Sequence, residues 1–431
     1  MVDFDAVVVG AGPAGTAAAL VLARGGAKVA LLERGAYPGA KNVMGGVMYR
    51  HAIDSLEADY WRKAPLERHI IEQDYWLLAS DSNISIGHRS EKFAQEPYNR
   101  FTVLRGKFDP WFAQQAEEAG AYLLNRTIAT DLIKENGVVV GVRTDRPDGD
   151  ISCHAVIIAD GVNSLLAQKT GLRPNIAMQD VALAVKEIVS LPREKIQDRF
   201  NLEGEEGATI DIYGEVAAGM EGTGFIYTNK DSLSIGIGVI LADLVRTKIK
   251  PYELIEQMKR HPAVRRVIAG GQTREYLAHM IPEGGYGAMP KVYASGVLVA
   301  GDAAMMVNGF HREGSNLAMT AGRLAAETVL RAIELGDYSV RTMSLYQSEL
   351  ENNFVLKDLR KYRRLPDYIR RKQKEIFTIY PRLMNDAADE FLTIDGVPKK
   401  EKQKRIWSMV KKRKSLWAIV SDVYKGWRAF G

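Results

Sequence analysis

AVVVGAGPAGTAAALVLARGGAKVALLER, residues 6–34, decides the fold. It opens as an apolar strand and turns through Gly10-x-Gly12-x-x-Gly15 into a helical pattern, AAALVLARGG. A second strand, KVALLER, follows and brings Glu33 and Arg34 to its end. Each part has a physical reason. Gly10 permits the tight turn, Gly12 lets backbone approach a diphosphate, and Gly15 lets the helix sit close on the sheet. Pro13 and Ala14 then open a helix whose N-terminus stabilises that diphosphate. Glu33 can accept hydrogen bonds from ribose hydroxyls, which argues against a 2′-phosphate. Strand, turn, helix and acid together predict a Rossmann-type dinucleotide site.

The run from 6 to 23 is uncharged over 18 positions, yet it does not read as a leader or a membrane span. Asp3 and Asp5 precede it where a signal peptide needs cations, and three glycines and a proline interrupt it. The expectation is a soluble or peripheral protein. Charge is uneven along the chain. Residues 355–431 carry 21 Lys/Arg against 9 Asp/Glu, whereas the rest of the chain has a net charge of −7. A basic end on an acidic body suggests an anionic surface or partner. No nucleic-acid reader module accompanies it, so nucleic acid is not the expected target. The seven histidines are scattered without metal-ligand spacing, and no metal site or catalytic triad is expected.

Two later strands choose between cofactors. AVIIADGVNS, residues 155–164, ends in Asp160-Gly161, and GVLVAGDAA, residues 296–304, ends in Gly301-Asp302. A loop with Gly314 and a helix beginning at Asn316 follow the second. A long cofactor needs several strand ends, with an acid for ribityl hydroxyls and a helix N-terminus facing the flavin's pyrimidine edge. FAD is the expected cofactor, and it carries the chemistry; no catalytic side chain is assigned.

With these motifs in place the sequence resembles the FAD-binding group of p-hydroxybenzoate hydroxylase, geranylgeranyl reductases and electron-transfer-flavoprotein–quinone oxidoreductases. GAGPAG with Glu33, ADG at 159–161 and GDAA at 301–304 match its three cofactor motifs. VLRGKFDPWFAQQAEEAGA, residues 103–121, is similar to its Arg-x-x-Phe-Asp helix. The resemblance places Arg105 near the FAD and the backbone around Ala129 at the adenine. PGAKNVMGGVMY (38–49, with Gly45 and Gly46), GTGFIYTNKDSLSIGIGV, HPAVRRVIAGG, IPEGGYGAMPK and GDAAMMVNGFHREGSNLAMTAGRLAAET resemble one branch more narrowly. This is the FixC-type subunit of Fix/Etf electron-transfer complexes. The likeness runs in register to about residue 350.

The resemblance implies transfer of electrons from an electron-transfer flavoprotein of alpha and beta subunits, through FAD, to a membrane quinone. It puts the polar end of a quinone channel at Gly222, Gly224, Gly284 and Gly285. Phe225, Tyr227 and Met289 are channel lining or core, and His311, near the flavin by the resemblance, is a proton relay or an ordinary loop histidine. Single-chain members of the family carry a four-cysteine [4Fe–4S] domain at the C-terminus, whereas this chain has one cysteine, Cys153. The cluster is therefore expected on a separate ferredoxin-like subunit.

The expected architecture is α/β: a discontinuous FAD-binding domain over 1–75, 100–175 and 290–335, and an antiparallel-sheet quinone domain over 76–99 and 176–289. A helical, basic region occupies 336–431. One amphipathic helix is expected over 406–427, with Ile406, Met409, Val410, Leu416, Trp417, Val420, Val423, Tyr424 and Trp427 on one face. Lys411, Lys414 and Lys425 fall opposite, with Lys412 and Arg413 nearer the boundary. Such a helix suits an anionic membrane interface, or else a partner or the body of the protein. The implied location is the cytoplasm, peripheral on the inner face of the cell membrane. Two rival readings share the fold: a geranylgeranyl-reductase-like enzyme and a lipid-escort protein without flavin chemistry.

Overall fold

The structure, a computed structural model, describes residues 2–40 and 44–431. Lys41, Asn42 and Val43 of the PGAKNVMGGVMY stretch lie outside the described residues. The chain forms two compact units. The first comprises Met1–Glu67, Tyr98–Val181 and His279–Arg360, and the second Arg68–Pro97, Ala182–Ala278 and Lys361–Gly431. The helical region expected over 336–431 is thus divided: its first turns pack with the first unit and its remainder with the second.

In the first unit, strand Phe4–Val9 is flanked by parallel strands Val29–Leu32 and Ile151–Ile158. Val297–Val299 pairs with Ile151–Ile158 and Tyr122–Leu124 with Val29–Leu32, both again parallel. Strands covered on both faces read as unbroken apolar runs. Accordingly Ala6, Val7, Val8, Leu31 and Ile157 are fully buried. A hairpin of Ala129–Glu135 and Val138–Thr144 extends this sheet antiparallel to the start of Ile151–Ile158.

Helix Pro13–Arg24 starts where the pattern demands. Gly12 is the extended N-cap and Pro13 the first helical residue, where its missing N–H costs nothing. Helix Ser315–Leu335 packs on it at backbone contact. A Cβ at Gly322 would lie 2.0 Å from the Ala14 carbonyl oxygen.

The second unit holds an antiparallel sheet in the order Val181–Ser190, Ser232–Ile240, Gly222–Thr228 and Glu206–Gly214. His69–Leu78 then pairs parallel with Glu206–Gly214, and Asn83–Arg89 antiparallel with His69–Leu78. Helix Pro251–Arg260 contributes buried Leu254, Ile255 and Met258 to the core of this unit. Arg68, fully buried, donates to the carbonyls of Asn229, Gly204, Glu206 and Lys230 and so pins the turns together.

The expected single helix over 406–427 is instead two, Lys399–Arg413 and Leu416–Ala429. The break has a local cause. Lys414 is extended (φ −162°, ψ 142°), and Ser415 caps the second helix by accepting the Ala418 N–H at 3.2 Å. Lys414 is also not a surface cation. Its Nζ pairs with Glu375 at 2.7 Å and with Asp422, which also takes Lys372 at 2.9 Å and the Tyr380 hydroxyl at 2.6 Å. Burial alone would raise the Asp422 carboxyl, but the bonds from Lys414, Tyr380 and Lys372 outweigh it and hold it at about 2.

Asp422→Asn should therefore leave Lys414 and Lys372 sharing Glu375 alone and lower unfolding free energy by about 3 kcal/mol, the cost of breaking a buried pair on one side. Hydrogen exchange should rise first in Leu416–Ala429. Because the folded carboxyl is depressed below its reference value of 3.8, its contribution is complete above that pH and is lost as pH falls toward about 2. Wild type should lose protection of this helix in that acid window, and the variant should show no added loss there.

Candidate functional site

The first unit gathers its motifs at the C-terminal ends of three parallel strands. After Phe4–Val9, Gly10 turns the chain at φ +99°, and a Cβ there would meet the Ala159 carbonyl oxygen at 2.4 Å. Gly15 has no more room, since its Cβ would fall 1.8 Å from the Gly10 carbonyl oxygen. At Gly301 a Cβ would meet that of Ala14 at 2.9 Å. These glycines are required by the chain's own packing. Gly12 is different: no atom of the described residues lies within 4 Å of where its Cβ would be.

Glu33, buried at the end of Val29–Leu32, accepts the Gly35 N–H at 2.6 Å and the Ala11 N–H at 3.3 Å. It thereby ties the glycine turn to the neighbouring strand. A carboxylate has about four acceptor sites, so capacity remains for ribose hydroxyls. Arg34 beside it is exposed. The Thr127 N–H donates to the Glu33 carbonyl at 2.9 Å, which brings the start of the Ala129 strand to the same edge.

Arg105 opens helix Arg105–Glu118 and is buried. Its guanidinium grips Asp109, one turn on, with bonds of 2.5 and 2.8 Å, and its remaining arm donates to the Met44 carbonyl at 2.8 Å. Arg105 thus holds the segment bearing Gly45 (φ +94°) and Gly46 in place. A Cβ at Gly45 would meet Ser315 Oγ at 3.2 Å, so this segment reaches the start of helix Ser315–Leu335.

Asp160 and Asp302 follow the second and third strands. Burial raises the Asp160 carboxyl. Burial also lifts Asp302 to about 6, against the opposing pull of Arg105 and Arg173. Arg173 is buried, donates to the Val162 carbonyl at 2.6 Å and touches Met305 Sδ at 2.9 Å. Gly161 (φ +80°) has no atom of the described residues within 4 Å of a would-be Cβ. Gly314 is the N-cap of helix Ser315–Leu335, and buried Asn316 lies in its first turn.

These residues fit a long anionic dinucleotide. Gly12 and Gly161 leave space, whereas Gly10, Gly15 and Gly301 are filled. The helix Pro13–Arg24 presents its N-terminus there, and buried Asn316 Oδ1 and Asp160 Oδ1 have no hydrogen-bond partner among the described residues.

The residues expected at the quinone divide between the units. Gly222, Gly224, Phe225 and Tyr227 lie on an interior strand of the second unit, paired on both edges. A Cβ at Gly224 would meet Met258 Sδ at 2.6 Å, and one at Gly222 the Gly238 carbonyl oxygen at 2.6 Å. Phe225 stacks on Tyr227 and covers Gly236. The sheet itself accounts for these residues. Gly284 and Gly285 belong to the first unit, beside the 3₁₀ turn Gly285–Ala288. The Gly284 N–H donates to the Asp180 carbonyl at 3.0 Å, and Gly285 is left-handed at φ +59°. Met289 is half-buried against the core, and His311 is exposed.

Sequence reasoning missed Arg173, Asp109 and Gly322. Asp109 carries a signal at i,i+4 from Arg105; the other two act on partners far away in sequence. Among the described residues no cluster could hold a metal ion, and Cys153 is buried with its thiol pushed up to about 12.

Comparison with known proteins bears on the whole length. Residues 5–168 match the FAD dependent oxidoreductase family and residues 365–431 the ETF-QO/FixC family C-terminal domain. Protein FixC of Azotobacter vinelandii is 49% identical over 99% of both chains. A probable electron transfer flavoprotein-quinone oxidoreductase of Escherichia coli, YdiS, is 38% identical over 98% of both. Among solved structures, a geranylgeranyl bacteriochlorophyll reductase-like protein from Thermoplasma acidophilum superposes with a TM-score of 0.73 at 20% identity, covering 95% of this chain and 96% of the other.

The glycine contacts separate two roles by experiment. Gly12→Val should fold, with cooperative thermal unfolding of the apoprotein, but lose flavin absorbance because the side chain enters the open space. Gly15→Val should fail to accumulate as folded protein, because its neighbour is backbone. Full flavin in Gly12→Val would remove the diphosphate from this turn.

Proposed function

Because the chain belongs to the ETF-QO/FixC family, we propose that it carries electrons from an electron-transfer flavoprotein, through its FAD, to a membrane quinone. The family makes it an FAD-dependent oxidoreductase of electron transfer. FAD supplies a centre that takes electrons singly or in pairs, which suits exchange between one-electron donors and a two-electron, two-proton acceptor. The protein's part is to bind and orient it. Helix Pro13–Arg24 and Gly12 receive the diphosphate, Glu33 the ribose, Asp160 and Asp302 the polar chain, and the turn at Gly314–Asn316 the ring edge. Arg105, held by Asp109, fixes the Met44–Gly46 segment beside them.

Cysteine chemistry supports the choice of partners. A [4Fe–4S] centre needs four thiolates, and the chain has one cysteine, Cys153, buried in a strand. The reading assigns the iron–sulfur centre to a separate ferredoxin-like subunit, beside the alpha and beta subunits of the electron-transfer flavoprotein. The observation that carries the reading is full-length similarity to FixC proteins, together with this lack of cluster ligands.

A place at the membrane completes it. Helix Leu416–Ala429 exposes Trp417, Val420, Val423, Tyr424 and Trp427, and Trp417 is 85% accessible. Lys411, Lys412, Lys425 and Arg428 are exposed around them, and Lys404, Trp407, Ser408, Lys411 and Lys412 line an open groove. Aromatic and apolar side chains ringed by cations suit an anionic bilayer surface, each cation contributing about 1 kcal/mol near it. No described helix is long and apolar enough to cross. The site of action proposed is the inner face of the cell membrane.

Purified with tagged chain from its source cells, an electron-transfer flavoprotein and an iron-containing ferredoxin-like protein should co-elute, while the isolated chain holds FAD and no iron. Stoichiometric iron in the isolated chain would overturn the subunit assignment. Replacing Trp417 and Trp427 by Ser should release the protein from anionic liposomes with FAD retained, and Lys411→Glu with Lys412→Glu should do so in a salt-dependent manner. Unchanged co-sedimentation with lost partner binding would make this face a subunit contact instead.

A further inference from the structure

The carboxyl of Glu283, in the PEGGYG turn, stands where that turn and the NGFHREG loop of the first unit meet. The N–H groups of Glu283 and Gly284 both donate to the Asp180 carbonyl, at 2.8 and 3.0 Å, which fixes the turn that leads to Gly285. The Glu283 side chain leaves this turn and lies on Gly309. A Cβ at Gly309 would sit 2.0 Å from Glu283 Oε2, so residue 309 is glycine where the carboxyl needs the space. Gly309 belongs to a loop closed by Asn308 and Glu313, whose backbones exchange bonds of 2.8 and 3.1 Å. That loop runs directly into Gly314 and Asn316 at the start of helix Ser315–Leu335, and it exposes His311 to water.

Among the described residues, Arg312 of the NGFHREG loop acts on the Glu283 carboxyl, the Asp180 side chain lies against Gly284 next to it, and Glu313 stands at the loop's base. Burial raises the Glu283 carboxyl to about 7 and Arg312 only partly offsets this. Glu313 is likewise raised by burial.

We infer that Glu283 is the proton carrier between water and the quinone acceptor at the Gly284–Gly285 turn. This rests on the quinone reading above. Conversion of a quinone to its quinol takes two electrons and forms two O–H bonds. Both electrons and one proton come from the reduced flavin, which is oxidised. The second proton leaves the Glu283 carboxyl for the quinone oxygen, and the carboxylate regains a proton from water on the His311 side of the loop. A carboxyl titrating near 7 can both release and recover that proton at neutral pH.

The test uses the FAD-loaded full chain and the apoprotein. In the apoprotein, infrared difference spectra should show a carboxylic-acid C=O band that disappears as pH rises through about 7, and Glu283→Gln should lack it. In the loaded chain, oxidation of the reduced flavin by a short-chain quinone should slow by about 100-fold in Glu283→Gln, the usual share of a positioned acid. The wild-type rate should fall as pH rises through 7, because the acid form acts, and the variant's rate should be flat. Glu283→Asp should restore part of the rate and the pH dependence. Gly309→Ala should displace the carboxyl and reproduce the defect, with no further loss when combined with Glu283→Gln. An unchanged rate and pH profile in Glu283→Gln overturns the inference alone. A wild type that transfers no electrons to any quinone overturns the quinone reading and this role together.

Discussion

The first turn of helix Pro13–Arg24 is packed to backbone contact on every side that faces protein, and the flavin site depends on that crowding. Gly10, Gly15, Gly301 and Gly322 each give up a side chain so that Ala14, Ala159 and the Gly10 carbonyl can close on one another. An added methyl in such a place costs about 1–3 kcal/mol even where side chains can shift, and here several neighbours are backbone. The contacts bring two helices and three strand ends to one spot. In this turn Gly12, unlike Gly10 and Gly15, has open space beside it among the described residues. The same constraint thus makes the frame rigid and leaves one side of the helix N-terminus open to a diphosphate.

Charge is arranged around this frame by the same logic of neighbours. Asp109 and the Met44 carbonyl use the donors of Arg105, so this cation positions a loop instead of roaming as a free charge. Asp302 keeps a raised carboxyl although Arg105 and Arg173 oppose it, and Glu283 keeps one against Arg312. Asp422, in the second unit, shows the opposite outcome. Two lysines and a tyrosine hydroxyl converge on it, and burial loses to direct hydrogen bonds. Asp160, Asp302, Glu283 and Glu313 are raised at the first unit's cofactor edge and the loops beside it, while the depressed Asp422 serves as a structural anchor for the last helix.

The legible parts of the sequence were those whose physics is local. Gly10, Gly12, Gly15 and Glu33 declare a strand–turn–helix–strand because their reasons lie within one βαβ unit, and the family motifs extend that reading over the chain. Gly322 and Arg173 were not legible, since the Ala14 carbonyl and Asp302 that explain them lie hundreds of residues away or on another strand. The run at 411–414 misled for a related reason. One helix through it put Lys414 opposite the apolar face, yet Lys414 turns inward to Glu375 and Asp422, Arg413 pairs with Asp386, and the helix breaks between them. Gly222 and Gly224 carry no local sign of which neighbour needs their space, and the sheet supplies it through Met258 and Gly238. Glu283 was hidden because its glycine partner, Gly309, lies in a different loop.

The central claim is that this chain's FAD links an electron-transfer flavoprotein to a quinone. Anaerobic stopped-flow absorbance on the complete complex addresses it most directly, with each half-reaction followed separately. The account predicts that reduced electron-transfer flavoprotein bleaches the chain's flavin band, and that a short-chain quinone then restores it with one quinol formed per flavin. A flavin that the electron-transfer flavoprotein reduces but no quinone reoxidises, or one that it never reduces, would contradict the account.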